Sequence, residues 1–222
     1  MKTATPEKSV RILIVDDHEL MRRGLRDLIH THADWQVCGE AAGENDAFKQ
    51  FRDSAADLVI VDLSLENGNG LDLIVRLKQA NPAVPILVLS MHDEELYAER
   101  VFRAGADGFV NKQRPSRSVL DAIGTVLEGG VYASEEVASM LLDRARGAPT
   151  EREPLPIELL SDRELQVFRL IGQGLSTENI AQALHISVST VGTYRERVKS
   201  KLNVPSSAKL ISLAVSWAIE NG

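Results

Sequence analysis

The sequence predicts an α/β protein built on a parallel five-stranded sheet, with a second, smaller all-α unit behind it. Three observations carry this. Five short apolar runs, rich in β-branched residues, alternate with helical stretches over the first 130 residues, the pattern of a sheet covered by helices on both faces. Between 147 and 156 lies Gly147-Ala-Pro-Thr-Glu-Arg-Glu-Pro-Leu-Pro156, whose three prolines build no core and read as a partly extended linker. Residues 158–222 are strand-poor and helical in periodicity. The expected organisation is 1–130, a linker helix and flexible linker over 131–157, and 158–222.

The strands fall near 10–15, 35–41, 58–62, 85–90 and 108–112, and helical patterns lie near 19–31, 44–53, 70–80, 94–104 and 116–128. Asn67-Gly-Asn-Gly70 is a turn signal directly before the third helix. Asn81-Pro82 ends that helix, because proline disfavours αR geometry in the residue before it. Gly105 stands where a C-cap glycine closes the fourth. Ser134, followed by Glu135 and Glu136 in the first turn, starts an amphipathic helix over 134–146.

Composition narrows the class. No apolar run approaches the ~20 residues of a membrane span, and Met1–Pro6 lacks the apolar segment of a secretory signal. Cys38, expected to be a small buried apolar residue, is the only cysteine, so no intrachain disulfide forms and a structural zinc site is not expected. A cytoplasmic protein is the expectation. The net charge of −7 is uneven: residues 158–222 hold seven Lys/Arg against six Asp/Glu, while the remainder holds 18 against 26. That asymmetry points to different partners for the two parts.

Four strand ends carry complementary chemistry. The first ends in Asp16-Asp17, the third in Asp62, the fourth in Ser90 and the fifth in Lys112. In open parallel sheets ligand chemistry collects at the carboxyl ends of the strands. Three carboxylates share a pocket only if something neutralises them, and a hard divalent cation such as Mg2+ suits them. Lys112 can pair with a phosphoryl oxygen, and Ser90 can donate to another. Asp62 is the best placed nucleophile, since a carboxylate accepts a phosphoryl group as a mixed anhydride. His18 and His92 lie near this set.

Residues 10–130 resemble the receiver domain of two-component response regulators, a flavodoxin-like (βα)5 fold, in Asp16-Asp17, Asp62, Ser90, Phe109 and Lys112. The resemblance implies that Asp62 is the phosphoacceptor. It further implies that Asp17, Asp62 and the backbone carbonyl of Ser64 ligate Mg2+, with Asp16 acting through water. Ser90 and Phe109 would form a switch pair, and His92 occupies a position that tunes phosphate lifetime in the family. Many receivers have a cis proline after the lysine, where this chain has Gln113.

In the C-terminal part, Ser161 and Glu164 form a capping box before the apolar positions Leu165, Phe168 and Ile171. Gly172-Gln-Gly174 stops that helix. A short helix over 176–184, the turn His185-Ile-Ser187, and a third helix over 188–202 make a helix-turn-helix, whose second member enters the major groove. At ~100° per residue Val191, Val198 and Leu202 share the buried side, and the opposite side presents Thr193, Glu196 and Ser200. Arg197, Lys199 and Lys201 suit phosphates. Glu196 can accept from cytosine N4.

This part resembles the LuxR/NarL-type DNA-binding domain in Leu160–Glu164, Gly174-Leu-Ser176, Ile180-Ala181, Ser189-Thr-Val191 and Lys201-Leu202. By resemblance Gly192, Thr193 and Glu196 read bases, while Thr190, Tyr194, Arg197 and Lys201 sit near the DNA backbone. Thr177-Glu178 stands where the family often has Asn-Lys, Gly192 where it has Lys, and Tyr194 where it has His. Those changes imply weak monomer binding and make dimerisation more important. The last helix, about Ser207–Glu220, carries Leu210, Leu213, Ala214 and Trp217, a core stripe that in the family also serves as the dimer contact.

The expected function is a non-enzymatic transcription regulator, phosphorylated on Asp62 by a sensor histidine kinase and bound as a homodimer to double-stranded DNA, with no membrane partner. Two alternatives stay open. One is an enzyme with an aspartyl-phosphate intermediate, as in the haloacid-dehalogenase phosphatases, although that family wants Asp-x-Asp and Asp16 and Asp17 are adjacent. The other is a DNA-binding protein whose first domain only dimerises.

Overall fold

A computed structural model describes residues 9–65, 68–91, 94–145, 156–184 and 186–221. His92, His185 and most of the proline-rich segment lie outside these residues. The chain divides into two compact units, Met1–Ser139 and Met140–Gly222. Among the described residues no helix is long and apolar enough to cross a membrane.

The first unit alternates strands and helices in the predicted order: β1 (Val10–Val15), α1 (Glu19–Ile29), β2 (Trp35–Ala41), α2 (Glu44–Ser54), β3 (Leu58–Val61), α3 (Gly70–Ala80), β4 (Ile86–Ser90), α4 (Glu94–Ala104), β5 (Gly108–Asn111) and α5 (Ser116–Leu127). The sheet is parallel with order β2-β1-β3-β4-β5. Alternation along the strands feeds two cores. Ile12, Ile14, Leu58, Ile60, Leu87 and Leu89 pack with Leu25 and Ile29 of α1 and Ile123 of α5. The intervening Leu13, Val15, Val59, Val61 and Val88 are equally buried. Each such side chain contributes about 1.5–3 kcal/mol on removal from water.

The order reverses between β1 and β3, and ligand crevices form outside the carboxyl ends of strands at such a switch point. Regular pairing stops at Val61 and Asn111, one residue short of the predicted strand ends. Asp62 and Lys112 therefore stand just past the last rungs, where side chains can converge.

Cys38 is half-buried rather than buried. Its strand is an edge of the sheet, and the β1–β2 register slips there: Val37 pairs with Ile12 and Gly39 with Leu13, leaving Cys38 as the extra residue of a bulge. Past α5, Tyr132 prolongs the sheet beside β5, donating to Asp107 O at 3.1 Å and accepting from Phe109 N at 2.9 Å. α6 (Glu135–Ala145) then begins, with Ser134 Oγ accepting from Val137 N at 3.3 Å.

The second unit consists of a 3-10 turn (Pro156–Leu159), α7 (Asp162–Gly172), α8 (Thr177–Ala183), α9 (Val188–Lys201) and α10 (Ser207–Asn221). The capping box of Ser161 and Glu164 forms as predicted, and Ser176 and Ser187 cap α8 and α9. Leu165, Phe168, Ile180, Val191, Val198 and Leu210 make the core. α7 and α10 approach so closely that a Cβ on Gly172 would meet Ala214 O at 2.4 Å.

Candidate functional site

In the first unit the pairing of Val15 with Val61 makes the next residues, Asp16 and Asp62, neighbours, and Asp62 N donates to Val15 O at 2.8 Å. Both carboxylates are buried. Lys112 reaches them from β5, with Nζ 2.6 Å from Asp16 Oδ2 and 2.6 Å from Asp62 Oδ2. Its own N–H donates to Ser90 O at 2.9 Å, tying the ends of β4 and β5 together. The Lys112–Gln113 bond is trans, like every described peptide bond.

The remaining oxygens are placed by backbone and by neighbours. Asp16 Oδ1 accepts from His18 N at 2.8 Å, and Asp62 Oδ1 accepts from Ser64 N at 3.2 Å. Asp17 Oδ1 is buried and accepts no hydrogen bond, while His18 Nδ1 lies 2.7 Å from it. Asp16, Asp17, His18 and Asp62 each bring one ligating atom within 4.8 Å of the others. A buried carboxylate oxygen that accepts no hydrogen bond, inside such a cluster, fits a metal ion, because hard divalent cations take carboxylate oxygens.

Burial pushes the Asp62 carboxyl up to about 6, Asp16 adding to the rise, while Lys112 and the Ser64 N–H pull the other way. For Lys112, burial favours the neutral amine, but Asp62 and Asp16 outweigh it and hold the ammonium above its ordinary value. Ser90 is wholly buried, and the Phe109 ring is buried too. Phe109 also borders a cavity of about 230 Å³ together with Tyr132, Arg114 and Glu94.

Arg22 and Gly70 belong to the pocket's frame and were not singled out from sequence. Arg22 donates to Asp16 O at 2.7 Å while its Nε lies 3.6 Å from Glu40. Gly70 lets the start of α3 pass against the Asp62 carbonyl, since a Cβ there would meet it at 2.3 Å. The turn signal at Asn67–Gly70 was the only trace of the second, and nothing local marked the first.

In the second unit the outward face of α9 is as predicted for Thr193, Glu196 and Arg197, all exposed, with Thr190, Gly192 and Tyr194 partly so. Arg197 lies over the Tyr194 ring at 6.0 Å. Val191 and Val198 are buried, and Leu202 is half-buried. Lys199 pairs with Glu196 at 2.8 Å. Lys201 Nζ lies 2.6 Å from Glu164 Oε2 and 3.1 Å from Leu159 O. On α10, Leu210 and Ala214 face the core and Trp217 meets Phe168 at 5.8 Å, while Leu213 and Ile211 are exposed.

A sheet with a carboxylate cluster at its switch point, joined to a helix-turn-helix, defines a phosphoryl-responsive DNA-binding protein class, and comparison with known proteins agrees. Residues 12–124 match the response regulator receiver domain, and residues 158–214 match the bacterial regulatory proteins of the luxR family. The chain is 34% identical over 213 residues to the response regulator UvrY of Escherichia coli, covering 96% of each chain. It is 30% identical over 210 residues to the oxygen regulatory protein NreC of Staphylococcus carnosus, covering 93% of this chain and 97% of that one. Among solved structures, RcsB from Salmonella enterica serovar Typhimurium, bound to promoter rprA in the presence of the phosphomimetic BeF3−, superposes with a TM-score of 0.67 at 25% identity, over 93% of this chain and 98% of that chain. The chain belongs to the response regulators that join a receiver to a LuxR-type DNA-binding domain.

Proposed function

We propose that this regulator is switched by transfer of a phosphoryl group from a sensor kinase's phosphohistidine to Asp62. The carboxylate oxygen attacks phosphorus, the N–P bond breaks, and the leaving imidazole keeps its electron pair. The supporting observation is the convergence of Asp16, Asp17 and Asp62 on Lys112 at the carboxyl edge of the sheet. A carboxyl titrating at about 6 leaves Asp62 in roughly tenfold excess as the nucleophilic carboxylate at pH 7.

Asp17, Asp62 and the Ser64 carbonyl would hold Mg2+, with Asp16 acting through water. When bound, the ion would supply charge neutralisation for the transferring group. Lys112 would turn from the carboxylates toward a phosphoryl oxygen, and Ser90 would donate to another. Phosphorylation adds about two negative charges. It acts only through differential interaction with two states, here read out by Ser90 and the Phe109 ring.

The output is operator binding by a homodimer, in the cytoplasm, through the face of α9. Thr190, Gly192, Thr193, Tyr194, Glu196 and Arg197 would line the interface, and α10 would add the dimer contact. The RcsB complex, with its phosphomimetic and promoter, supports this order of events. Light scattering with Mg2+, before and after beryllofluoride, tests it against Asp62→Asn. Dimers forming in wild type alone are expected. Dimers present without beryllofluoride would favour a receiver that dimerises without phosphorylation.

A further inference from the structure

Lys201 has the position of a phosphate contact, near the C-terminal end of the recognition helix, yet its ammonium is committed inside its own domain. It lies 2.6 Å from Glu164 Oε2 and donates to Leu159 O at 3.1 Å. The Glu164 side chain is only 4% exposed. The same Oε2 accepts from Ser161 N at 2.6 Å, closing the capping box of α7. Burial works against the Glu164 carboxylate, but Lys201 and Ser161 outweigh it and hold its pKa below the ordinary value. One ammonium thus gathers the 3-10 turn, the start of α7 and the end of α9.

We propose that Lys201 is a positioning residue, acting through Glu164, and that it fixes the angle of α9 on α7 without touching DNA phosphate. This rests on the reading that α9 is the DNA-binding face. To reach a phosphate, Lys201 would have to leave a carboxylate whose side chain is 4% exposed with Ser161 as its remaining partner, and removing the cation from a buried pair is strongly unfavourable. The ion pair also cancels its own field, so this end of α9 presents less positive potential than its sequence suggests. Arg197, exposed on the same helix, has no such commitment and is the comparison residue.

The two roles separate in salt dependence. A lost phosphate contact lowers the slope of log K against log salt by about 0.9. A lost positioning contact weakens binding at all salt concentrations with the slope intact. The measurement is binding of the full chain to a short mixed-sequence duplex DNA across a salt series, for wild type, Lys201→Met, Arg197→Met and the double variant Glu164→Gln/Lys201→Met. Glutamine keeps the capping box, and the double variant leaves net charge unchanged, so it stays folded where the single variant leaves a buried charge unpaired.

Lys201→Met is expected to weaken binding on the order of tenfold with an unchanged slope, and Glu164→Gln to restore most of that loss. Arg197→Met is expected to lower the slope by about 0.9. A folded double variant whose slope falls by about 0.9, with no restored affinity, would overturn the proposal. If Arg197→Met changes neither affinity nor slope, the assignment of α9 as the DNA face fails instead, and Lys201 then has no recognition helix to position.

Discussion

Lys112 Nζ stands 2.6 Å from Asp62 Oδ2, with 4% of the lysine side chain and 3% of the aspartate side chain exposed. The same ammonium serves Asp16 at equal distance. A single cation is therefore shared by two buried carboxylates, and Asp17 beside them has an oxygen with no hydrogen bond. Carboxylates outnumber the buried cations in this cluster, a donor set that could hold a metal ion.

Removing that cation has a definite cost. Lys112→Met breaks a buried ion pair, and such losses run to roughly 3–5 kcal/mol. The loss should be largest near pH 8 and shrink toward pH 5, where Asp62 takes up a proton. The Asp62 carboxyl, already at about 6, should titrate higher still in the variant. Carboxyl-carbon NMR titration of both proteins checks the shift, and an unmoved Asp62 would contradict the assigned electrostatics.

Asp62→Asn should stabilise the metal-free receiver. Asp62 has a folded pKa of about 6, above its ordinary 3.8. The folded form thus binds the extra proton between these values, and stability falls as pH rises through that window. The full shift corresponds to roughly 3 kcal/mol, so a gain of about 1–3 kcal/mol at pH 7, vanishing toward pH 4, is expected. Urea unfolding followed through Trp35 in a Trp217→Phe background reads the receiver. Saturating Mg2+ should narrow or reverse the difference, since only wild type keeps the full ligand set.

Gly70→Ala probes the frame of the site without removing any charged group. The added Cβ would meet Asp62 O at 2.3 Å and Leu63 Cα at 2.6 Å, both backbone atoms that cannot rotate away. Overpacking of this kind costs about 1–3 kcal/mol. The displaced Asp62 should bind Mg2+-beryllofluoride more weakly although Asp16, Asp17 and Lys112 are intact. Titration calorimetry giving wild-type affinity would show that the α3 start does not set the Asp62 position.

Much of this was legible in the sequence, for a physical reason. Strand and helix periods are local, so β1 to α5 and α7 to α10 fall where the apolar spacing put them. The pocket was legible because a parallel sheet gathers its carboxyl ends, which brought Asp16, Asp62, Ser90 and Lys112 together without any knowledge of distance. What escaped depends on tertiary approach. Arg22 on α1 reaches Glu40 on β2, 18 positions along, and Lys201 finds Glu164 across 37 positions. Cys38 was expected in the core, but a bulge in an edge strand leaves it half-buried, and bulges leave no mark in apolar periodicity.

The close approach of α7 and α10 gives the last prediction, in the other unit. A Cβ at Gly172 would lie 2.4 Å from Ala214 O and 3.0 Å from Ala218 Cβ, so alanine there must push α10 outward. The tilted contact of Phe168 with Trp217, at 5.8 Å, lies on the same helix pair and should open with it. Gly172→Ala gains helix propensity at its end of α7, but overpacking of about 1–3 kcal/mol should dominate. A red-shifted Trp217 emission, read in a Trp35→Phe background, with lower stability of the C-terminal unit is the expected result. Beryllofluoride binding at Asp62 should be untouched, because the substitution lies in the other compact unit. An equally blue emission with unchanged stability would mean that α10 is free to slide, and that its exposed Leu213 and Ile211 are not held in a fixed plane by α7.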